Sequence, residues 1–237
     1  RTMTELEKCQ KGLLYDTAFP GREESHLVCA DLCFAYNHTL PSDMKRREEL
    51  LCKLFGKVGK NPYVEPNIFC GFGWNIEVGD SFFANNNCVF VDPGKITFGD
   101  YVFIGPQCGF YTAEHPLDAQ QRDAGLEVAF PITVGSHVWI GGSTTVCPGV
   151  TIGDNVLLAP NVAIYTAGHP IHPESRNTGY EYGIGITIGN NVQIGPHVTI
   201  VTDNHDFHDR YVLKCRSIVL EDNVWIGAGA TIMPGVR

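Results

Sequence analysis

The chain is short of positive charge and of long apolar runs. Its 17 lysines and arginines stand against 26 aspartates and glutamates, a formal net charge of −9. No basic stripe offsets phosphate repulsion, which argues against a nucleic-acid partner. No segment is long and apolar enough to span a bilayer and no signal peptide opens the sequence, so no membrane partner is expected. Cysteines paired at metal-binding spacing are missing too. The nine cysteines (9, 29, 33, 52, 70, 88, 108, 147 and 215) are scattered and odd in number, which fits a reducing, cytoplasmic compartment. Cys29 and Cys33, one helical turn apart, are read as core. What the chain has instead is 43% hydrophobic residues and 26 glycines, enough for a large core and for turns of positive φ.

From Val64 onward the periods of helix and flat strand are absent as well. An aliphatic or small residue recurs every sixth position, most clearly at Ile132, Val138, Thr144, Val150, Val156 and Val162. A six-residue beat with Gly and Asn between short strands predicts a triangular parallel β-helix. Taking three hexads per coil gives about seven coils. The beat breaks at 88 to 96, 108 to 132, 162 to 186 and 198 to 218, always between the second and third hexad. Insertions at 113–131, 167–185 and 202–217 therefore leave one corner of the prism, and loops gathered on one face of a repeat array mark a working surface. They carry Tyr111-Thr-Ala-Glu-His115-Pro, Tyr165-Thr-Ala-Gly-His169-Pro and Val201-Thr-Asp-Asn-His205-Asp-Phe-His208.

Residues 1–59 read differently, and 60–237 form the β-helix. In the first region Leu27, Ala30, Leu32 and Phe34, then Met44, Leu50, Leu51 and Leu54, fall near 3.6-residue steps, with Ser42 or Asp43 as an N-cap after Pro41. Two or three helices covering the first coil are predicted. The sequence opens with Arg1-Thr2 before Met3 and stops within a hexad, so it reads as a fragment or a fused product.

These residues resemble the hexapeptide-repeat O-acetyltransferases, and as far as Asn155 the maltose and galactoside acetyltransferases. The resemblance rests on Leu13-Leu14-Tyr15-Asp16, Pro41-Ser42-Asp43, Leu54-Phe55-Gly56, Phe82-Phe83-Ala84-Asn85, Asp92, the Tyr111 to Asp118 loop, Gly125-Leu126-Glu127 and Val138-Trp139-Ile140-Gly141-Gly142. Residues 156–191 look like a second copy of the His loop. Residues 192–236 look more like the polysaccharide and xenobiotic acetyltransferases. Where the family has a Thr-Lys pair that holds coenzyme A, this chain has Tyr165 and Thr166.

The resemblance implies a left-handed coil, a homotrimer, and acetyl transfer from acetyl-CoA to a sugar hydroxyl with no metal required. A hydroxyl is a poor nucleophile near neutrality, and histidine is the natural base. The family motif gives that role to His115, with Asn85 beside it on the reactive hydroxyl. Asp16, Cys70, Phe83, Asp92 and Glu127 are expected at the acceptor, Glu127 either orienting the imidazole or touching the sugar. Trp139, Gly141 and Gly142 are expected along acetyl-CoA, with a backbone N–H near the two glycines as oxyanion donor. These residues are taken to share a single prism corner, walled by a neighbouring subunit. His169 and His205 lack an amide equivalent to Asn85, so His169 is read as a non-catalytic copy whose loop crowds the acetyl-CoA groove. Two other readings stand beside this one: a zinc carbonic-anhydrase-like β-helix using His205 and His208, and an inactive trimeric scaffold or sugar-binding array.

Overall fold

The computed structural model describes residues 2–116, 118–168, 182–209 and 212–237. Its body is a prism of three seven-stranded parallel sheets. The first face stacks Tyr63–Val64, Phe83–Ala84, Phe103–Ile104, Trp139–Ile140, Leu157–Leu158, Gln193–Ile194 and Trp225–Ile226. The second runs from Phe69–Cys70 through Val89–Val91, Gly109–Tyr111, Thr145–Val146, Ala163–Tyr165 and Thr199–Val201 to Thr231–Ile232. The third runs from Lys57–Val58 to Ile218–Leu220. Strands of two or three residues bury one inward side chain on the first two faces and two on the third, as at Ile132 and Val134, before the chain turns.

Two of the three corners turn by the same means. The corner entering the first face and the corner between the first and second faces each turn on one residue of positive φ, which is seldom glycine: Ser81, Tyr101, His137, Asn155, Asn191 and Asn223 at one, Asn87, Gln107, Ser143, Asn161 and His197 at the other. Asparagine side chains brace the first of these corners, with Asn155 Nδ2 donating to Asn191 Oδ1 at 3.3 Å and Asn191 to Asn223 at 3.2 Å. The hexad glycines thus serve close packing of coils more than positive φ. A Cβ on Gly153 would lie 2.8 Å from the Gly189 carbonyl carbon, nearer than van der Waals contact allows. All the insertions leave the third corner, between the second and third faces.

The core changes character along the axis. The lower coils stack aromatic rings: Phe90 and Phe110 lie 5.3 Å apart and parallel, and Phe98 meets Phe110 edge-on at 5.1 Å. The upper coils are filled by Val, Ile and Leu, most of them fully buried.

Helices α1 (Glu5–Gln10), α2 (Arg22–Asn37) and α3 (Met44–Leu54) precede the prism. Asp43 is the N-cap of α3, its carboxylate accepting from Arg46 N at 3.2 Å. In α3, Leu50, Leu51 and Leu54 are buried. In α2 the expected apolar face is wrong: Leu27 and Phe34 are 57% and 65% exposed, whereas Cys29, Cys33 and Tyr36 are buried. The inward stripe is drawn by contacts with the first coil. Cys29 Sγ donates to Cys70 O at 3.3 Å, and the Tyr36 hydroxyl donates to Val64 O at 2.7 Å. Among the described residues no helix is long and apolar enough to cross a membrane.

Candidate active site

Thr112 starts the site. Its hydroxyl, fully buried, donates to Val91 O at 2.9 Å and accepts from Gly94 N at 2.8 Å, pinning the chain to the coil below as it leaves the second face. The departing strand Ala113–Glu114 pairs antiparallel with Leu126–Ala129. The other edge of Leu126–Ala129 accepts Tyr15–Asp16, with Tyr15 opposite Glu127 and Asp16 opposite Leu126. Helix α4 (Ala119–Asp123), capped by Asp118, closes the loop, and Arg122 donates to Pro116 O at 2.9 Å. This small sheet brings the N-terminal segment to the His loop across more than a hundred residues of sequence.

His115 projects from its end with the side chain 61% exposed, its Nε2 3.9 Å from Glu127 Oε1. That separation is an electrostatic contact and too long for a direct hydrogen bond. Glu127 itself is held firmly: its side chain is 13% exposed and Oε2 accepts from the Tyr15 hydroxyl at 2.7 Å. Burial, reinforced by the bond to Glu127, pushes the Tyr15 phenol up, so it remains a protonated donor. Arg22, lying over the Phe72 ring at 5.6 Å, adds a cation 3.9 Å from Oε2. One carboxylate oxygen is thus anchored and the other faces the imidazole, an arrangement suited to orienting His115. Tyr15 stands in the family motif without a role of its own and Arg22 outside it; the antiparallel pairing brings Tyr15 here and helix α2 carries Arg22.

Asp16 is half-buried, its carboxylate accepting from Ala18 N at 2.8 Å while Glu5 Oε2 holds its N–H at 2.7 Å. Asp92 lies at the same corner, one coil below Thr112, and is fully buried. Its Oδ1 accepts from Phe72 N at 2.8 Å and its Oδ2 is buried without a partner among the described residues. Burial pushes its carboxyl up to about 7, against the lowering effect of the Phe72, Gly73 and Gly71 N–H groups. A cavity of about 140 Å³ adjoins this cluster, lined by Cys9, Tyr15, Phe19, Arg22, Phe72 and Trp74 among others.

The remaining expected residues lie elsewhere, contrary to the single corner anticipated. Asn85 follows the first-face strand Phe83–Ala84, and its N–H donates to Ile104 O at 2.9 Å. Its side-chain oxygen accepts from Asn86 N at 2.8 Å, so the amide NH2 is the group left to offer. Phe83 stacks on Tyr63 at 6.0 Å and meets Phe103 at a tilt at 6.4 Å, and the same outward column continues to Trp139, 42% exposed. Asn85 therefore sits at the corner between the first and second faces, while His115 leaves the corner between the second and third. Hexad phase is the reason. Each hexad turns one corner, and the two residues belong to different hexads of their coils.

Two further assignments are corrected. Cys70 is 1% exposed and points into the core beneath α2, because its hexad position is the inward one. The Gly141 N–H donates to Leu158 O at 2.7 Å, so it is spent in the ladder and cannot hold an oxyanion, which leaves Gly142, half-buried, as the candidate. His205 and His208 sit on and beyond the hairpin strand Asp203–His205, and among the described residues no group of three His, Cys, Asp or Glu side chains is placed to hold a metal ion. His169 lies outside the described residues.

Comparison with known proteins agrees with this architecture. Residues 8–59 match the maltose acetyltransferase hexapeptide capping motif and residues 131–166 the bacterial transferase hexapeptide of six repeats. The galactoside O-acetyltransferase of Escherichia coli is 38% identical over 156 residues, covering 66% of this chain and 77% of that protein. Among solved structures, a galactoside acetyltransferase in complex with coenzyme A superposes with a TM-score of 0.64 at 36% identity, covering 68% of this chain and 86% of that one. A maltose O-acetyltransferase from Clostridium difficile 630 gives 0.64 and 36%, covering 85% and 94%. The coil is left-handed, as in these neighbours.

Proposed function

The chain belongs to the hexapeptide-repeat maltose and galactoside O-acetyltransferase family, and from that premise we propose that it transfers the acetyl group of acetyl-CoA to a sugar hydroxyl with His115 as general base. The observation that carries this reading is the chain of contacts from Tyr15 through Glu127 to His115. It has the form of a base held by an anchored carboxylate, with the imidazole itself open to a substrate. The His115 imidazole takes the hydroxyl proton as the oxygen attacks the thioester carbonyl carbon. The tetrahedral intermediate collapses, the C–S bond breaks, and the thiolate leaves with the proton returned by the imidazolium. The Gly142 N–H is the candidate donor to the oxyanion.

Asn85, and Gly142 at the same corner, take part only if a second copy of the chain supplies them. Two corners of one prism cannot meet, but a three-fold arrangement sets the His115 corner of each copy against the Asn85 corner of the next. The exposed column Phe103, Trp139 and Leu157 on the first face supports this, being apolar surface beside Asn85 that a neighbour or the pantetheine arm would cover. In this reading Asp16, half-buried, takes an acceptor hydroxyl and Trp139 and Gly142 line acetyl-CoA, whereas Asp92, expected at the acceptor too, is fully buried and backs the site from within.

The test is calorimetric binding of acetyl-CoA followed by thiol release with a panel of glucosides, galactosides and maltose. Saturable binding with turnover that His115→Ala abolishes supports the reading. Binding with no turnover on any sugar would point to another acceptor class, and no binding by the folded protein would contradict the transferase.

A further inference from the structure

Next to His115 in sequence stands a carboxyl group that the reaction does not use. Strand alternation turns Glu114 the opposite way from His115, into the prism corner, where the residue is 6% exposed and both carboxyl oxygens are buried without a hydrogen-bond partner among the described residues. Val128 faces it across the hairpin. From the coil above come Cys147, just after the strand Thr145–Val146, and from the next coil Thr166, fully buried. The Thr166 hydroxyl lies 2.6 Å from Pro148 O, so its proton is committed there, and its backbone oxygen accepts from the Thr202 hydroxyl at 3.1 Å. A hydroxyl whose proton is already donated can only accept, and a carboxylate cannot donate to it. Burial without a donor costs a carboxylate far more than a neutral acid, so the neutral form is the one these surroundings favour.

We propose that Glu114 is a positioning residue for the transfer described above: as a neutral carboxylic acid it seats the hairpin of residues 113–114 and 126–129 on the prism corner, and its ionisation lifts that hairpin and draws His115 and Glu127 out of line. The proposal rests on the role given to His115. It follows from placing an acid and a base at successive positions of one strand, so that the inward residue sets the height of the outward one.

Among the described residues the titratable groups around Glu114 are few. The Cys147 thiol is pushed up to about 11 by burial first and by Glu114 second, so it stays uncharged when Glu114 ionises. His115 and Glu127 lie on the same hairpin. Burial pushes the Glu114 carboxyl up to about 7, which Thr166 offsets only by turning its proton away from Pro148 O. Ionisation therefore falls near neutral pH.

The experiment compares the full-length wild type with Glu114→Gln from pH 6 to 9, since glutamine keeps the shape and stays neutral. In the wild type, kcat/KM falls about tenfold per pH unit once Glu114 ionises, so the ratio of variant to wild type rises at least about tenfold between pH 6 and 8.5. Titration of Asp92 is common to both proteins and cancels in the ratio. A second readout needs no activity: amide hydrogen exchange at residues 112–115 and 126–129, corrected for intrinsic rates, accelerates with pH in the wild type and not in the variant. Parallel pH profiles, or exchange that does not change with pH in the wild type, would overturn the proposal. If neither protein transfers acetyl groups, the exchange result still decides the seating of the hairpin and the failure belongs to the functional reading.

Discussion

Replacing Tyr15 by Phe removes one oxygen atom from the chain of contacts that leads to His115. Tyr15 is 1% exposed, its ring 6.4 Å from that of Phe19, and the substitution leaves this packing in place. What is lost is the 2.7 Å donation to Glu127 Oε2. A hydrogen bond to a charged group contributes about 1.5–3 kcal/mol, and Arg22 at 3.9 Å does not replace it. At about 1.4 kcal/mol per tenfold in rate, kcat/KM should fall about 10- to 100-fold if that bond is what aims Glu127 at His115. Steady-state thiol release, varying sugar at saturating acetyl-CoA, separates the two roles open to Glu127. If Glu127 orients the base, the loss falls on kcat and the sugar KM stays within about twofold; if it touches the sugar, KM rises. A change in kcat/KM below about threefold would refute the reasoning, because Glu127 would then be held by other means.

Stability offers two further checks. Phe98→Ala empties the junction where Phe82, Phe90 and Phe110 meet at 5.1 to 6.1 Å and should cost about 3–5 kcal/mol in urea unfolding, whereas a loss below about 1 kcal/mol would mean that the lower coils repack freely. For Asp92 the folded protein keeps a proton up to about pH 7 that the unfolded chain releases from about 3.8. Stability contributed by the neutral form is thus complete below that lower value and is lost as pH rises through 7. Glu114 acts in the same direction. Asp92→Asn should therefore flatten the fall in melting temperature between pH 5 and 8, and an unchanged slope would show that Asp92 ionises freely.

The β-helix was legible because its inward residues are aliphatic at a fixed step and each step is local. The corner from which the loops leave followed from the same arithmetic, since insertions interrupt the beat only after the second hexad. The α2 face was misread for the converse reason: Leu27 and Phe34 fit a helical stripe, but contacts of Cys29 and Tyr36 with the first coil decide which side turns inward. The division of the site between two corners escaped notice because resemblance groups residues by role, whereas hexad phase places them. Cys70 was assigned to the wall although its phase, the same as that of Phe90 and Phe110, is that of the core. Tyr15 and Glu114 lay inside quoted motifs but their roles were not legible, since nothing in the local sequence announces a pairing of Tyr15 with Glu127 across the chain.

The central claim is that His115 and Asn85 come from different copies of the chain, and mixing two inactive variants tests it most directly. His115→Ala and Asn85→Ala are each prepared, combined in equal amounts under mild denaturation, and reassembled. If sites form between copies of a three-fold assembly, about a quarter of the sites in a random mixture hold an intact His115 from one chain and an intact Asn85 from its neighbour, and about that share of wild-type activity should return. If each chain builds its own site, every site lacks one residue or the other, and a mixture no more active than its components would contradict the account.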